Sequence, residues 1–240
     1  YEFVDPLLVE AHWINSLAFN EDGSQLISGG GFFVRSARAE DQAVFQGEDT
    51  AYPMLHLWDT ETGQLLRQYD TTGFVVDEGF DAPITSVKFS PDGRDVLSGV
   101  EDGRLIIWST ISSTAVRELE GHSDRVTSIE FSPDGQRLLT ASNDRVIILW
   151  DYMTGQVLSR FTGHRGAVND IAFSPDGSRL LSGSDDTRVI LWDITTGNSI
   201  QRFSEQDTAI TSVAFIEDGR AAVSGAIDGT MVSRGFDTGE

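Results

Sequence analysis

The stretch AFSPDGSRLLSGSDDTRVILWD, residues 172–193, decides the fold because closely similar stretches recur along the chain. Full copies begin at residues 88, 130 and 214, and a shorter copy, AFNEDGSQLISG, begins at residue 18. The spacing between copies is constant where it is clearest, since 42 residues separate Trp108, Trp150 and Trp192, and likewise Phe89, Phe131 and Phe173. A fixed period of this length indicates a repeat architecture, so we count five copies of one structural unit.

Each copy divides into four strands, which alternate apolar and polar residues and are separated by turn residues. In the fourth copy the predicted strands are Ala167–Phe173, Arg179–Gly183, Arg188–Asp193 and Asn198–Phe203. The Ser-Pro-Asp-Gly between the first two is a turn, since proline presets φ, aspartate bonds its own backbone and glycine accepts a positive φ. A four-stranded unit cannot bury both of its faces alone, so the copies must stack.

The unit resembles the WD40 repeat. A Gly-His dipeptide precedes the first strand of two copies, at Gly121-His122 and Gly163-His164. A Trp-Asp dipeptide ends the third strand of three copies, at Trp58-Asp59, Trp150-Asp151 and Trp192-Asp193. The resemblance covers essentially the whole chain and implies an all-β fold, a β-propeller of four-stranded antiparallel blades around a central channel. We expect one domain over 1–240, with blades near 10–69, 70–119, 120–161, 162–203 and 204–240 and a candidate closing strand at 1–9. Five repeats form either a small ring or part of the seven-bladed ring usual in the family.

Two blades carry a histidine, a hydroxyl residue, an aspartate and a tryptophan together. They are His122, Thr140, Asp144 and Trp150 in blade 3, and His164, Ser182, Asp186 and Trp192 in blade 4. Such a set can be mistaken for a catalytic triad. The WD40 resemblance instead implies a buried hydrogen-bond chain that locks the blade, with neutral, partnered histidines. Phe80 in blade 2, and Gln206 and Arg234 in blade 5, depart from the pattern and predict looser blades there.

Two insertions enlarge the region between blades 1 and 2, near 32–54 and 70–80. Phe19 and Trp58 lie 39 residues apart, against 19 for Phe89 and Trp108, which places the first insertion between the second and third strands. Because successive strands run in opposite directions, that turn and the exit to the next blade lie at one end of the blade. Both insertions should therefore emerge on one face, which the resemblance equates with the face bearing the Gly-His dipeptides. Gly29–Gly31 is expected to be a flexible hinge of the first insertion.

The insertions and the face-lining positions supply the predicted binding residues. The insertions contain large apolar residues, which either contact a partner or fold back on the disc. By resemblance, the residue six before each first-strand phenylalanine and the residue before each turn aspartate point into the same face. Aromatic and arginine residues dominate binding hot spots, and carboxylates at the entrance suit a basic partner. The predicted protein-binding residues are Trp13, Phe32, Phe33, Phe45, Tyr52, Phe74, Glu101, Arg125, Asn143 and Asp185.

Composition excludes several classes of function. The chain has 17 basic and 38 acidic residues and a net charge of −21, which argues against nucleic acid and favours basic or neutral partners. It has no cysteine, and its four histidines show no metal-ligand spacing, so we predict no cofactor and no metal site. No run approaches the roughly 18 apolar residues of a membrane span, so we predict no membrane insertion.

These observations predict a non-catalytic scaffold for protein–protein interaction in the cytoplasm, which binds a protein or peptide through the loops on one propeller face. Two alternatives stay open. The chain could be the sensory or regulatory propeller of a larger signalling protein that carries a kinase or NTPase module. It could also be a ligand-binding or hydrolytic propeller, which would gather polar residues from only one or two blades around the channel. The distribution of polar residues over all the repeats speaks against the last of these.

Overall fold

The computed structural model describes residues 9–35, 50–71, 82–204 and 206–236, with backbone only at 9–12, 32–35 and 50–52. In each sheet the strands pair antiparallel in chain order, so every sheet is a simple meander. In chain order the strands are β1 (Val9–Phe19), β2 (Gln25–Arg35), β3 (Thr50–Asp59), β4 (Leu65–Gln68), β5 (Ile84–Phe89), β6 (Asp95–Val100), β7 (Leu105–Ser109), β8 (Ala115–Leu119), β9 (Val126–Phe131), β10 (Arg137–Ser142), β11 (Val146–Asp151), β12 (Val157–Thr162), β13 (Val168–Phe173), β14 (Arg179–Ser184), β15 (Val189–Asp193), β16 (Ser199–Phe203), β17 (Ile210–Ile216), β18 (Ala221–Ala226) and β19 (Met231–Gly235).

The predicted four-stranded antiparallel blades are confirmed. Blades 1 to 4 are β1–β4, β5–β8, β9–β12 and β13–β16, and the described residues of blade 5 supply three strands, β17–β19. In blade 4 every strand boundary lies within one residue of its predicted position. The Ser-Pro-Asp-Gly turns form as expected. In blade 4 the Gly177 N–H donates to the Ser174 carbonyl at 2.8 Å, and Gly177 has a φ of +68°.

The core lies between the sheets. The first strands of successive blades, β1, β5, β9, β13 and β17, lie side by side in chain order. Between blades 4 and 5, Leu181, Val189 and Leu191 pack against Ile210 and Val213, and the other three junctions are built in the same way. Each fully buried aliphatic side chain is worth about 1.5–3 kcal/mol. Stacking therefore supplies the apolar core that a single sheet lacks.

In blades 1 to 4 a polar side chain on the first strand also joins the blade to the next one. The side-chain donors are one repeat apart and reach backbone carbonyls of the following first strand: Asn15 to Ile84 (2.7 Å), Thr85 to Val126, Thr127 to Val168, and Asn169 to Ile210 (2.8 Å). In blade 5 the equivalent Thr211 hydroxyl donates to the Gly225 carbonyl of its own sheet. The repeat therefore encodes both the apolar contact and a hydrogen bond across each blade junction.

The structure corrects the prediction for blade 1. Strand β2 continues to Arg35 and β3 starts at Thr50, so both ends of the first insertion are paired strand rather than loop. Phe32 is paired with Tyr52, and Trp13 lies inside β1, opposite Gly31. The strands β1 to β3 have 11, 11 and 10 residues, against 6 each for β9 to β11. The first three strands therefore extend beyond the end of the blade.

The hinge expected at Gly29–Gly31 is also wrong, because these glycines lie in the middle of β2 and pair on both sides. A Cβ at Gly29 would lie 2.5 Å from Val87 Cγ1, and one at Gly30 would lie 2.0 Å from the Trp13 carbonyl oxygen. Both contacts are too short for any side chain. These two glycines therefore allow close packing within blade 1 and against blade 2.

The bonds between first strands can be tested with Thr127→Val, a change that keeps the shape of the side chain. It removes the donor to the Val168 carbonyl, so the free energy of unfolding should fall by about 1–2 kcal/mol in urea denaturation. Thr211→Val is the matched control, because the Thr211 hydroxyl is exposed and bonds only within its own sheet. It should change the free energy by less than about 0.5 kcal/mol. Equal effects of the two substitutions would contradict a contribution from the blade junction.

Candidate functional site

The four residues singled out in blade 4 are joined by hydrogen bonds. The Trp192 indole N–H donates to Ser182 Oγ at 2.8 Å, and Ser182 Oγ lies 2.8 Å from His164 Nε2. The other ring nitrogen of His164 lies 3.1 Å from both carboxylate oxygens of Asp186. In a neutral His164 the Nδ1–H donates to the carboxylate, and Nε2 accepts from the Ser182 hydroxyl. The lowered pKa of His164 supports this assignment.

Burial lowers the pKa of His164, although the neighbouring Asp186 carboxylate acts in the opposite direction. Burial alone would raise the pKa of Asp186, but the Arg165 N–H and His164 hold it below its usual range. Both shifts favour a neutral imidazole beside an ionised carboxylate.

Blade 3 repeats the arrangement. His122 lies 2.8 Å from Thr140 Oγ1 and 2.9 Å from Asp144, and the Trp150 indole donates to Thr140 at 2.9 Å. A catalytic nucleophile needs an oxygen open to substrate. The Thr140 and Ser182 side chains are fully buried, and each oxygen already accepts a hydrogen bond from an indole. The arrangement therefore suits a structural link better than acyl transfer.

Blades 1 and 2 keep the tryptophan end of this chain of bonds. The Trp58 indole donates to Ser28, and the Trp108 indole donates to Ser98, each at 2.9 Å. Asp102 of blade 2 accepts instead from the Arg104 guanidinium at 2.7 Å. Phe80, which stands at the histidine position, lies outside the described residues.

Blade 5 replaces the network with a different one, and the looser packing expected there from its sequence stays a prediction. Ser224 Oγ donates to Gln206 Oε1 at 2.5 Å, and Arg234 Nη1 donates to Ser224 at 2.7 Å. The Arg234 guanidinium also lies 5.2 Å from the centre of the Phe203 ring in blade 4. It takes the place of Trp192, whose ring packs on Phe161 of blade 3. Glutamine and arginine therefore fill the positions of histidine and tryptophan with a different set of donors and acceptors.

The two predicted sets of face-lining residues meet at one end of the blades. In each case the backbone N–H of the residue before the turn aspartate donates to the carbonyl of the residue before the first strand: Glu101 to Pro83 (3.1 Å), Asn143 to Arg125 (3.0 Å), Asp185 to Ala167 (2.9 Å) and Ile227 to Ala209 (2.9 Å). Blades 2 to 5 thus each place one residue of each set side by side. The first insertion joins β2 to β3 and the second follows β4, so strand alternation places the start of both at this end. The Thr71 hydroxyl at the start of the second insertion donates to the Pro53 carbonyl at the end of the first (2.8 Å).

The side chains at this end differ in what they already bind. Arg125 of blade 3 forms an ion pair with Glu101 of blade 2, with 3.2 Å between Nη1 and Oε2. Both side chains are more than a third exposed, so the pair contributes at most about 1 kcal/mol to folding. Asp185 is exposed and accepts from the neutral Asn169 amide at 2.7 Å. Glu101 is therefore paired within the chain, whereas Asp185 forms no ion pair with the residues that the structure describes.

The aromatic residues of the insertions are only partly placed. Phe32, Phe33 and Tyr52 lie on β2 and β3 with backbone alone described, and Phe45 and Phe74 lie outside the described residues. Whether these five side chains face a partner or the disc therefore stays a prediction. In the part of the chain that the structure describes, no helix is long and apolar enough to cross a membrane, and no cluster of histidine and carboxylate side chains could hold a metal ion.

Comparison with known families agrees with this architecture. The family described as "IFT122 first beta-propeller" matches residues 83–240, about two thirds of the chain, and "WD domain, G-beta repeat" matches residues 6–35. The chain belongs to the WD40-type β-propeller family. Propellers of this family are typically scaffolds for protein–protein interaction and are generally not catalytic. This identification confirms the resemblance stated from the sequence.

Similar individual proteins are known. "Cell division cycle 20.1, cofactor of APC complex" from Arabidopsis thaliana is 31% identical over 67 residues, which are 28% of this chain and 13% of that protein. The structures of U3-55K and of the RRP9 WD40 repeats each superpose with a TM-score of 0.72 at 20% identity, over 94% of this chain and 62% and 61% of theirs. A chain in the mitotic checkpoint complex superposes at 0.67, with 20% identity over 92% of this chain and 59% of that one. The chain thus spans about three fifths of these solved chains, and the likeness shows the fold.

The neutral state of His164 gives a testable pH dependence. Because the folded pKa lies below the unfolded value of about 6.5, the unfolded chain gains a proton first as the pH falls. The free energy of unfolding should therefore decline below about pH 6.5. In His164→Gln it should be lower by about 1–3 kcal/mol at pH 8, and the difference from the parent should shrink towards pH 5. Urea denaturation of the parent and of His164→Gln between pH 8 and 5 measures both free energies of unfolding. Parallel pH profiles would show that His164 does not cause the pH dependence.

Proposed function

We propose that this propeller is a non-catalytic binding platform that holds a protein or peptide through the loops at the Gly-His end of its blades. The observation that carries the proposal is the pairing of the two face-lining positions in four successive blades at the end where both insertions emerge. Loops on a rigid scaffold are where binding residues concentrate. The cytoplasmic location remains a prediction.

The chemistry of this end favours a partner with basic residues. Asp185 is exposed, and the neighbouring blade presents exposed Asp207, Asp228 and Ile227. A lysine or arginine side chain has an aliphatic stem and a cationic end, which match an exposed aliphatic residue beside carboxylates. On the other side of the face, the Glu101 carboxylate is already paired with Arg125. We therefore place the basic group of the partner over blades 4 and 5.

Selection of peptides from a random displayed library, followed by affinity measurement, tests this proposal. Asp185→Lys should weaken the selected peptides at least about tenfold, or about 1.4 kcal/mol. Glu61→Lys makes the same change of charge sign at an exposed residue in the turn after the third strand of blade 1, at the opposite end, and should leave the affinity unchanged.

A loss with Glu61→Lys and none with Asp185→Lys would place recognition on the other face. Selected peptides without lysine or arginine would contradict the basic partner while leaving the binding face in place.

A further inference from the structure

Blade 4 carries two arginines close together at its Gly-His end, Arg188 and Arg202. Arg202 lies on β16 and pairs with Ile190 of β15, and Arg188 stands two residues before Ile190. Besides burial, the positive charges of both arginines lower the pKa of His164, so both lie near the same imidazole. Arg202 Nη2 lies only 3.3 Å from the position that a Cβ on Gly163 would occupy. We call Arg188 and Arg202 the arginine pair.

Blade 2 has opposite charges at the same two positions. Arg104 stands at the position of Arg188, and Glu118, which pairs with Ile106, stands at the position of Arg202. Arg104 Nη1 lies 3.5 Å from Glu118 Oε1, so side chains at these two positions reach one another. In blade 4 two like charges therefore take the place of an ion pair. Like charges on neighbouring strands repel each other and destabilise the sheet.

The chain does not neutralise the arginine pair itself. The Asp186 carboxylate already accepts from His164, and from Arg188 it accepts only the backbone N–H. Among the residues that the structure describes, neither member of the pair forms an ion pair with a carboxylate. The side-chain hydrogen bond that Arg202 makes is long, at 3.4 Å from Nε to Ser199 Oγ. Arg202 is exposed and Arg188 partly exposed, so their donors are open to an incoming group.

We propose that the arginine pair binds an oxyanion, the carboxylate or phosphate of a partner peptide. Each guanidinium donates in a planar fork that matches either group, and an anion held between the two replaces their repulsion by two attractions. Exposed Arg165, next to His164, adds a further positive charge to the same edge of the blade. The assignment of the anion to a peptide rests on the proposed function, whereas the oxyanion site itself does not.

The arginine pair and Asp185 lie on opposite sides of blade 4. Ile190, the cross-strand partner of Arg202, packs in the core between blades 3 and 4. Asp185 instead accepts from the Asn169 amide, which also donates to a carbonyl of blade 5. A peptide that uses both sites therefore carries a basic residue towards blade 5 and an anionic residue towards blade 3.

Titration with inorganic phosphate at constant ionic strength, followed by NMR of the arginine Nε–H groups, tests the site alone. The Arg202 signal should shift and saturate, whereas the Arg160 signal should not. Arg160 is the matched control, because it stands one repeat earlier, with Val146 at the position of Arg188. Its guanidinium already donates to the Gly121 carbonyl at 3.0 Å. Equal shifts of Arg160 and Arg202, or none, would overturn the proposal.

Arg202→Glu gives blade 4 the charges that blade 2 has. It should weaken phosphate binding at least about tenfold. It should also raise the thermal unfolding temperature by about 1–4 °C, because an ion pair with Arg188 replaces a repulsion. Arg160→Glu makes the same change of charge at the same strand position and should bind phosphate like the parent. Phosphate binding by Arg202→Glu equal to that of the parent would contradict the site.

A parallel titration with acetate identifies the oxyanion. Tighter binding of phosphate is expected, because phosphate has more charge and more acceptor oxygens, and it would indicate a phosphorylated partner. Tighter binding of acetate would indicate aspartate or glutamate in the partner, with the same site. Selected peptides that Asp185→Lys weakens and Arg202→Glu does not would overturn the assignment to the peptide and leave the proposed function intact. The reverse result would support the oxyanion site and contradict the basic partner.

Discussion

Apolar side chains stand on both faces of each sheet, and the rest of the structure follows from the need to cover both. A single four-stranded sheet leaves at least one of its faces in water. The free energy of folding therefore comes from the junctions between blades. At the junction of blades 4 and 5, Leu181 and Leu191 pack on Ile210, while the Asn169 amide bonds the Ile210 carbonyl.

Part of the acidic composition is turn chemistry. Asp176 accepts from the Ser174 hydroxyl and the Ser178 N–H, and these bonds lower its pKa to about 2. Asp22, Asp92 and Asp134 hold the equivalent turns of the other blades, and hydrogen bonds lower their pKa values as well. A net charge of −21 is therefore weak evidence for a basic partner by itself. The stronger evidence is local, in the exposed carboxylates over blades 4 and 5.

The 42-residue period was enough to predict the strands and the stacking, because each repeat carries the same local and packing preferences. The buried hydrogen-bond chains were expected only from the resemblance to the WD40 repeat. The predictions were wrong where a residue departs from the repeat pattern. Gly29–Gly31 resembled a hinge in sequence, and only the contact of Gly29 with Val87 shows why glycine is required. Gln206 and Arg234 resembled losses, since sequence does not reveal that their side chains meet at Ser224. The ion pair of Arg125 with Glu101 crosses a blade junction, and the sequence likewise did not predict it.

Hydrogen exchange of the indole N–H groups, followed by NMR, tests the central claim that the blades form one cooperative stack. The Trp108, Trp150 and Trp192 indoles donate to buried hydroxyls in three successive blades. Their protons should exchange only through global unfolding, with one common free energy equal to that from urea denaturation. Exchange of any of the three at a clearly lower free energy would show that its blade opens alone, and would contradict the account.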